Sequence, residues 1–85
     1  MDKLLLEVIC PVTNRHYDIF IPKKMRVGQA IQKIADEISA FESAQDLFAS
    51  REELMLCSYE QKGILNPAIQ MIEAGIQSGD RLMLL

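Results

Sequence analysis

EAGIQSGDRLMLL, residues 73–85, is a polar turn followed by an alternating apolar run. Ser78, Gly79 and Asp80 are turn residues, and Gly79 suits a position that needs φ > 0. Beyond them, Leu82 and Leu84 fall on one face of an extended strand and Met83 and Leu85 on the other. A strand apolar on both faces is expected in the interior of a sheet, paired on both sides. Ile76 anchors the approach to this turn. The run is therefore the central strand around which the other elements must be placed.

Its neighbours are sought first at the amino end. Residues 3–10, KLLLEVIC, put Leu4, Leu6 and Val8 on one face and Leu5, Glu7 and Ile9 on the other. Glu7 marks the second face as the wetter one. Pro11 cannot donate to a ladder and ends the run, and Thr13, Asn14 and Arg15 supply turn chemistry. Residues 15–21 make a second strand, with Tyr17, Ile19 and Ile21 inward and His16, Asp18 and Phe20 outward, up to Pro22. The two strands form a β-hairpin.

The period then changes. Val27, Ile31, Ile34, Ala35 and Ile38 lie on one stripe, which predicts an amphipathic helix over 26–39, with Gln29, Gln32, Lys33, Asp36 and Glu37 on its other side. Its start lacks a Ser, Thr, Asp or Asn cap, and Lys23, Lys24 and Arg26 add positive charge to the positive end of the helix dipole. These cations are either a poorly capped, solvated start or a small basic spot for an acidic partner. Residues 41–52 form a connector whose Phe41, Leu47 and Phe48 are expected to fold onto the core edge, with room for a short helical turn. Residues 53–59, ELMLCSY, read as a third strand, with Leu54 and Leu56 on one face and Met55, Cys57 and Tyr59 on the other. Ile64 and Leu65 suffice for a very short fourth strand. Asn66, Pro67 and Gly75 are helix punctuation, which predicts one or two helical turns within 66–75, most securely at 71–74.

Composition narrows the function classes. Eighty-five residues are expected to make one domain, 1–85, which at this size must rely on one dense core. The net charge of −3 argues against nucleic acid, whose phosphates want a basic face. No apolar run approaches the roughly 20 residues that span a bilayer, so no direct membrane insertion is expected. The start MDKLLLEVIC lacks the basic region and cleavage site of a signal peptide, which points to a cytoplasmic protein. Cys10 and Cys57 are too few for a disulfide framework, and the strand reading puts them on opposite sheet faces.

A hairpin, a helix laid across one sheet face, and a return that sets the last strand beside the first is the β-grasp arrangement. The first and last strands run parallel, and the helix supplies the crossover that this requires. The fold class is thus α+β, a mixed four- to five-stranded sheet with one main helix packed across one face. Leu4, Leu6, Val8, Ile19, Ile21, Val27, Ile31, Ile34, Ile38, Leu56, Ile76, Leu82 and Leu84 are the expected core.

With that layout the chain resembles ubiquitin. Leu65, Met71, Glu73, Ile76, Leu82 and Leu84 stand where that family puts leucine, leucine, aspartate, isoleucine and the final-strand leucines. The run Gly75-Ile76-Gln77-Ser78-Gly79-Asp80, followed by an apolar strand, is more specifically similar to the YukD-type ubiquitin-like proteins of bacterial type VII (WXG100) secretion systems. That resemblance implies a cytoplasmic accessory or regulatory component that docks to secretion machinery, peripheral to the inner face of the membrane through its protein partner. In related actinobacterial systems a similar domain is fused to a membrane component.

Chemistry-bearing motifs do not add a catalytic role. The chain ends at Leu85 without the diglycine tail on which ubiquitin and the sulfur carriers act. Two cysteines cannot supply the four ligands of a β-grasp ferredoxin cluster. No phosphate loop or metal spacing is present, so no cofactor, no metal and no enzymatic activity is expected. His16 reads as a surface histidine. What remains is a binding surface: Met55, Cys57, Tyr59, Met83 and Leu85, expected together on the open sheet face. This patch either takes a protein partner, closes a homodimer, or is covered by the connector. Its membership depends on the third-strand register, since a slip of one residue reverses the faces. A degenerate sulfur carrier and a β-grasp adaptor of another pathway are the alternative functions.

Overall fold

The structure is a computed structural model that describes residues 2–45 and 47–85; Met1 and Asp46, which fall within the amino-terminal run and the connector, lie outside them. Its strands are β1 (Lys3–Cys10), β2 (Arg15–Pro22), β3 (Leu56–Ser58), β4 (Gly63–Ile64) and β5 (Arg81–Leu84), with one α-helix, α1 (Val27–Phe41). They form a single mixed sheet in the order β2-β1-β5-β3-β4. The apolar run at the end of the sequence is its central strand. β5 lies parallel to β1, with Val8 beside Leu82, and antiparallel to β3, with Leu56 beside Leu84. β1 and β2 form the hairpin with Glu7 opposite Asp18, and Asn14 takes φ 56° in its turn, a conformation that asparagine tolerates.

Alternation places one face of every strand under the helix. Leu6, Val8, Ile21, Leu56, Leu82 and Leu84 are fully buried there. They meet Val27, Ile34 and Ile38 of α1, which are equally buried, because the stripe spacing turns these three towards the sheet. Met71, Leu65 and Cys10 join the core beyond the expected set, and Phe48 folds onto it as expected of the connector. Leu4, near the start of β1, is only partly buried and packs against the edge of the core.

The absent side-chain cap of α1 has a tertiary replacement. Arg26 is the residue before the helix and makes no side-chain cap bond. Instead the Val27 N–H donates to the Ile69 carbonyl at 2.8 Å and the Gly28 N–H to the Pro67 carbonyl at 3.0 Å. The Arg26 guanidinium donates to the Ala68 carbonyl. Backbone acceptors far along the chain thus serve the helix's orphan donors. The approach is close enough that a Cβ on Gly28 would lie 3.2 Å from the Pro67 oxygen.

The same contacts explain a correction. Residues 66–75 contain no helix. They are a chain of turns whose N–H and C=O groups pair with residues 23–28: Met71 N–H donates to the Met25 carbonyl and Ile72 N–H to the Lys23 carbonyl, both at 2.9 Å. The helical punctuation survives at both ends: at the start, Asn66 Oδ1 accepts the Ala68 N–H at 2.9 Å, as a cap would. Gly75 has φ 80°, its N–H donates to the Ile72 carbonyl, and the Ile76 N–H donates to the Met71 carbonyl. That is the Schellman bond pair closing a single turn, with Met71 and Ile76 buried against each other's side of the core.

Other boundaries shift. The third strand is shorter than expected, because Arg51–Glu53 form a 3-10 turn before it. The fourth strand is Gly63–Ile64 rather than 64–65; Leu65 instead turns inward while its N–H bonds the Leu56 carbonyl at 2.8 Å. In the connector, Phe48 is buried and Leu47 packs on the core, but Phe41 is 72% exposed. It only edges the Tyr17 ring, at 5.7 Å between centroids.

Candidate functional site: the open sheet face

The face away from α1 is built by the residues between the buried ones. On β5 these are Arg81 and Met83, with Leu85 following. On β3 they are Cys57, flanked by Met55 and Tyr59. Cys57 pairs directly with Met83. Met55 and Leu85 exchange both backbone hydrogen bonds at 2.9 Å, and the Tyr59 N–H donates to the Arg81 carbonyl at 3.0 Å. In an antiparallel ladder these are three successive bonded pairs, so all six side chains share one face. The structure brings Met55, Cys57, Tyr59, Met83 and Leu85 together on it. Met55, Tyr59 and Leu85 are exposed at 41%, 40% and 47%, and Cys57 and Met83 are half-buried between them.

Two further members were not singled out in the sequence. Ile64 pairs with Cys57 and is 64% exposed, and Ile9 pairs with Met83 on the other side. One row therefore runs across four strands: Ile9, Met83, Cys57, Ile64. Ile64 was legible as apolar, but its face follows from pairing with Cys57 and not from any local pattern. A depression of about 400 Å³ lies over this row, lined by Cys57, Tyr59, Lys62, Ile64 and Met83.

The next row is polar and closes the patch on one side. Arg81 lies over the Tyr59 ring, 5.4 Å from its centroid, and its Nε sits 3.3 Å from Glu60 Oε2. The Arg81 backbone N–H also donates to Glu60 Oε1 at 3.0 Å. That bond, with the Arg81 charge behind it, holds the Glu60 carboxyl below the usual glutamate range. Glu7, paired with Arg81 across β1 and β5, accepts from His16 Nδ1 at 2.7 Å when that nitrogen carries a proton. Past this row, Leu5 and Phe20 pair as a second, smaller apolar spot, with Phe20 49% exposed. His16 thus has a partner, though one of surface character.

The two thiols lie on opposite faces, Cys10 buried under the helix side and Cys57 on the open one. Among the described residues, no group of three or more His, Cys, Asp or Glu side chains is placed to hold a metal ion, and no helix is long and apolar enough to cross a membrane. What the face offers chemically is an apolar, thioether-rich surface rimmed by one ion pair, a surface for contact.

No protein-family model matches the chain, and no curated protein does. Solved structures match its fold. The ubiquitin-like domain of EccD5 from Mycobacterium xenopi aligns over 100% of this chain and 94% of that one, with TM-score 0.73 and 16% identity. Caldiarchaeum subterraneum ubiquitin aligns over 96% and 90%, with TM-score 0.68 and 13% identity. A protein designed de novo on the basis of ubiquitin gives TM-score 0.73 over 99% and 88%, at 14% identity. At such identities the likeness is one of fold, and the fold is the ubiquitin-like β-grasp.

Proposed function

We propose that this chain is an accessory component of a type VII (WXG100) secretion system and acts by binding a protein of that machinery through its open sheet face. The observation that carries the binding role is the continuous apolar row Ile9, Met83, Cys57 and Ile64, widened by Met55, Tyr59 and Leu85. An apolar surface of this extent on a small acidic protein costs solubility unless something covers it. The secretion role rests on the resemblance of residues 75–85 to the YukD-type proteins, and the likeness to an EccD5 ubiquitin-like domain supports it. We read the role as contact and not catalysis, as the resemblance implies.

The test is capture from detergent-solubilised membranes of the source organism, with the parent protein and Met83→Asp side by side. A charge at the centre of the row removes apolar contact and leaves a desolvated carboxylate in any complex, which weakens binding by about 2 kcal/mol or more. Secretion-machinery proteins should come down with the parent and not with the variant. If both capture the same proteins, the open-face assignment fails. If neither captures a secretion component, the secretion role fails.

A further inference from the structure

The hairpin leaves one edge of the sheet open to pairing. β2 is the outermost strand, and among the described residues it pairs only with β1. The opposite edge, β4, is two residues long, whereas β2 keeps register with β1 over eight pairs without a bulge. The backbone directions of β1 show which groups of β2 are free. Leu5 N–H donates to Ser78 Oγ at 3.0 Å, and its carbonyl accepts from the Gly79 N–H at 2.8 Å. Glu7 N–H donates to the Asp80 carbonyl at 3.1 Å. Leu5 and Glu7 therefore turn their backbone groups to β5. Their β2 partners Phe20 and Asp18 stand in non-hydrogen-bonded pairs, as does His16 opposite Ile9. His16, Asp18 and Phe20 thus direct their N–H and C=O groups out of the sheet, at a spacing of two residues.

Two exposed rings flank this row. Phe20 stands on the open face, and Phe41 stands on the helix side, where it walls a groove of about 210 Å³ with Tyr17 and Ile38. The charges nearby are matched with one exception. On the helix side Arg15 meets Glu42 and Lys33 meets Glu37. On the open face His16 meets Glu7, the cross-strand neighbour of Asp18. Asp18 is exposed and, among the described residues, makes no ion pair.

A row of free donors and acceptors at this spacing is matched by another extended backbone, which carries both at the same interval. A second copy of β2 fits it poorly. The antiparallel self-pairing that uses all six groups sets Asp18 directly opposite Asp18 of the second copy, with about 5.5 Å between Cα atoms, beside both Glu7 side chains. The two neighbouring registers waste bonds. One sets Phe20 against Asn14, whose N–H is already held by the Pro11 carbonyl, and the other sets His16 against Pro22, which has no N–H.

We propose that the free edge of β2 takes an extended segment of a protein partner as a sixth, antiparallel strand, with a lysine or arginine opposite Asp18 and an apolar residue on either side of it. Alternation dictates that pattern. The residue opposite Asp18 shares its face and meets its charge, while the residues before and after it point to the other face, beside Phe41. The residue two places before the cation lies opposite Phe20 and is apolar. This edge is separate from the row through Met83 and does not depend on it.

The experiment titrates the 15N-labelled protein with the end-blocked peptide Leu-Val-Arg-Val-Thr and reads amide shifts and amide hydrogen exchange. Saturable shifts are expected at His16, Asp18, Phe20 and Phe41, with the exchange of the His16, Asp18 and Phe20 amides fast in the free protein and slowed in the complex. Two N-methylated peptides separate strand addition from mere adhesion. Methylation of the arginine nitrogen, which points at β2, should weaken binding about tenfold or more. Methylation of the valine after it, whose nitrogen points away, should leave binding as it was. Glutamate in place of arginine should weaken binding about threefold at low salt. Asp18→Lys, at an exposed position, should prefer the glutamate peptide, and its amide spectrum shows whether it is folded. Met83→Asp should bind like the parent. Absence of saturable shifts, equal binding of the arginine-methylated peptide, shifts centred on Cys57 and Met83, an unchanged preference in folded Asp18→Lys, or a self-dimer that protects the three amides without peptide would each overturn the proposal.

Discussion

Leu82 and Met83 are adjacent on the central strand and face opposite ways, so truncating each to alanine tests the architecture at one point. Leu82 is fully buried, next to Val8 on β1 and Ser58 on β3. Leu82→Ala removes about three buried carbon groups at ~0.8 kcal/mol each, or roughly 2.4 kcal/mol of transfer free energy. A central strand held on both edges cannot collapse into the space, so the cavity raises the cost to about 3–4 kcal/mol. Met83 is half-buried on the open face and leaves no enclosed cavity; its truncation should cost about 1 kcal/mol. A chain of this length has roughly 4–13 kcal/mol in total at ~0.05–0.15 kcal/mol per residue. With a urea m-value of about 1 kcal/mol/M, the midpoint should fall by about 3–4 M for Leu82→Ala and about 1 M for Met83→Ala. Far-UV circular dichroism during urea titration measures both. Equal shifts, or a larger one for Met83→Ala, would refute the register, because a slip of one residue exchanges the two faces.

Three other outcomes follow from particular residues. Gly75→Ala places a Cβ at φ 80°, 3.1 Å from Gln61 Nε2, and should lower stability by about 1–2 kcal/mol, read as a lower thermal midpoint. The Tyr17 hydroxyl has its pKa raised, first by burial and next by donating to Glu42 Oε2 at 2.6 Å. A raised folded-state pKa means that this contribution is complete below the unfolded tyrosine value of about 10 and is lost as pH climbs through the folded value. Denaturation midpoints should therefore decline above that pH in the parent, and Tyr17→Phe should remove part of the decline; an identical alkaline profile would contradict the link. Cys57 is half-exposed and Cys10 fully buried, so an aromatic disulfide reagent should titrate one thiol quickly in the native protein and the second only on unfolding.

The sequence was most legible where a side chain's face depends only on period. Alternation in residues 3–10, 15–21 and 81–84 and the 3.6-residue stripe from Val27 to Ile38 assign inward and outward side chains as the structure has them. The five side chains expected on the open face follow from the same alternation in β3 and β5, and the structure gathers them there. Pattern reading failed where partners come from far away. Residues 66–75 carry helix punctuation, yet their backbone groups are taken by residues 23–28, which leaves no continuous run of i to i+4 bonds. Phe41 shares a connector with Phe48, but the helix ends on it and turns it outward.

The chain alone thus determined the class of fold, the central strand and the two faces of each long strand, because the side-chain period is a property of the local backbone. Tertiary structure decided the rest. Which strands are neighbours brought Ile9 and Ile64 to the row of Met83 and Cys57. It capped an uncapped helix with the carbonyls of Pro67 and Ile69. It also set Phe41 of α1 beside Tyr17 of β2, around one groove. These depend on long-range pairings, which the packing of the whole core selects and no local stretch encodes.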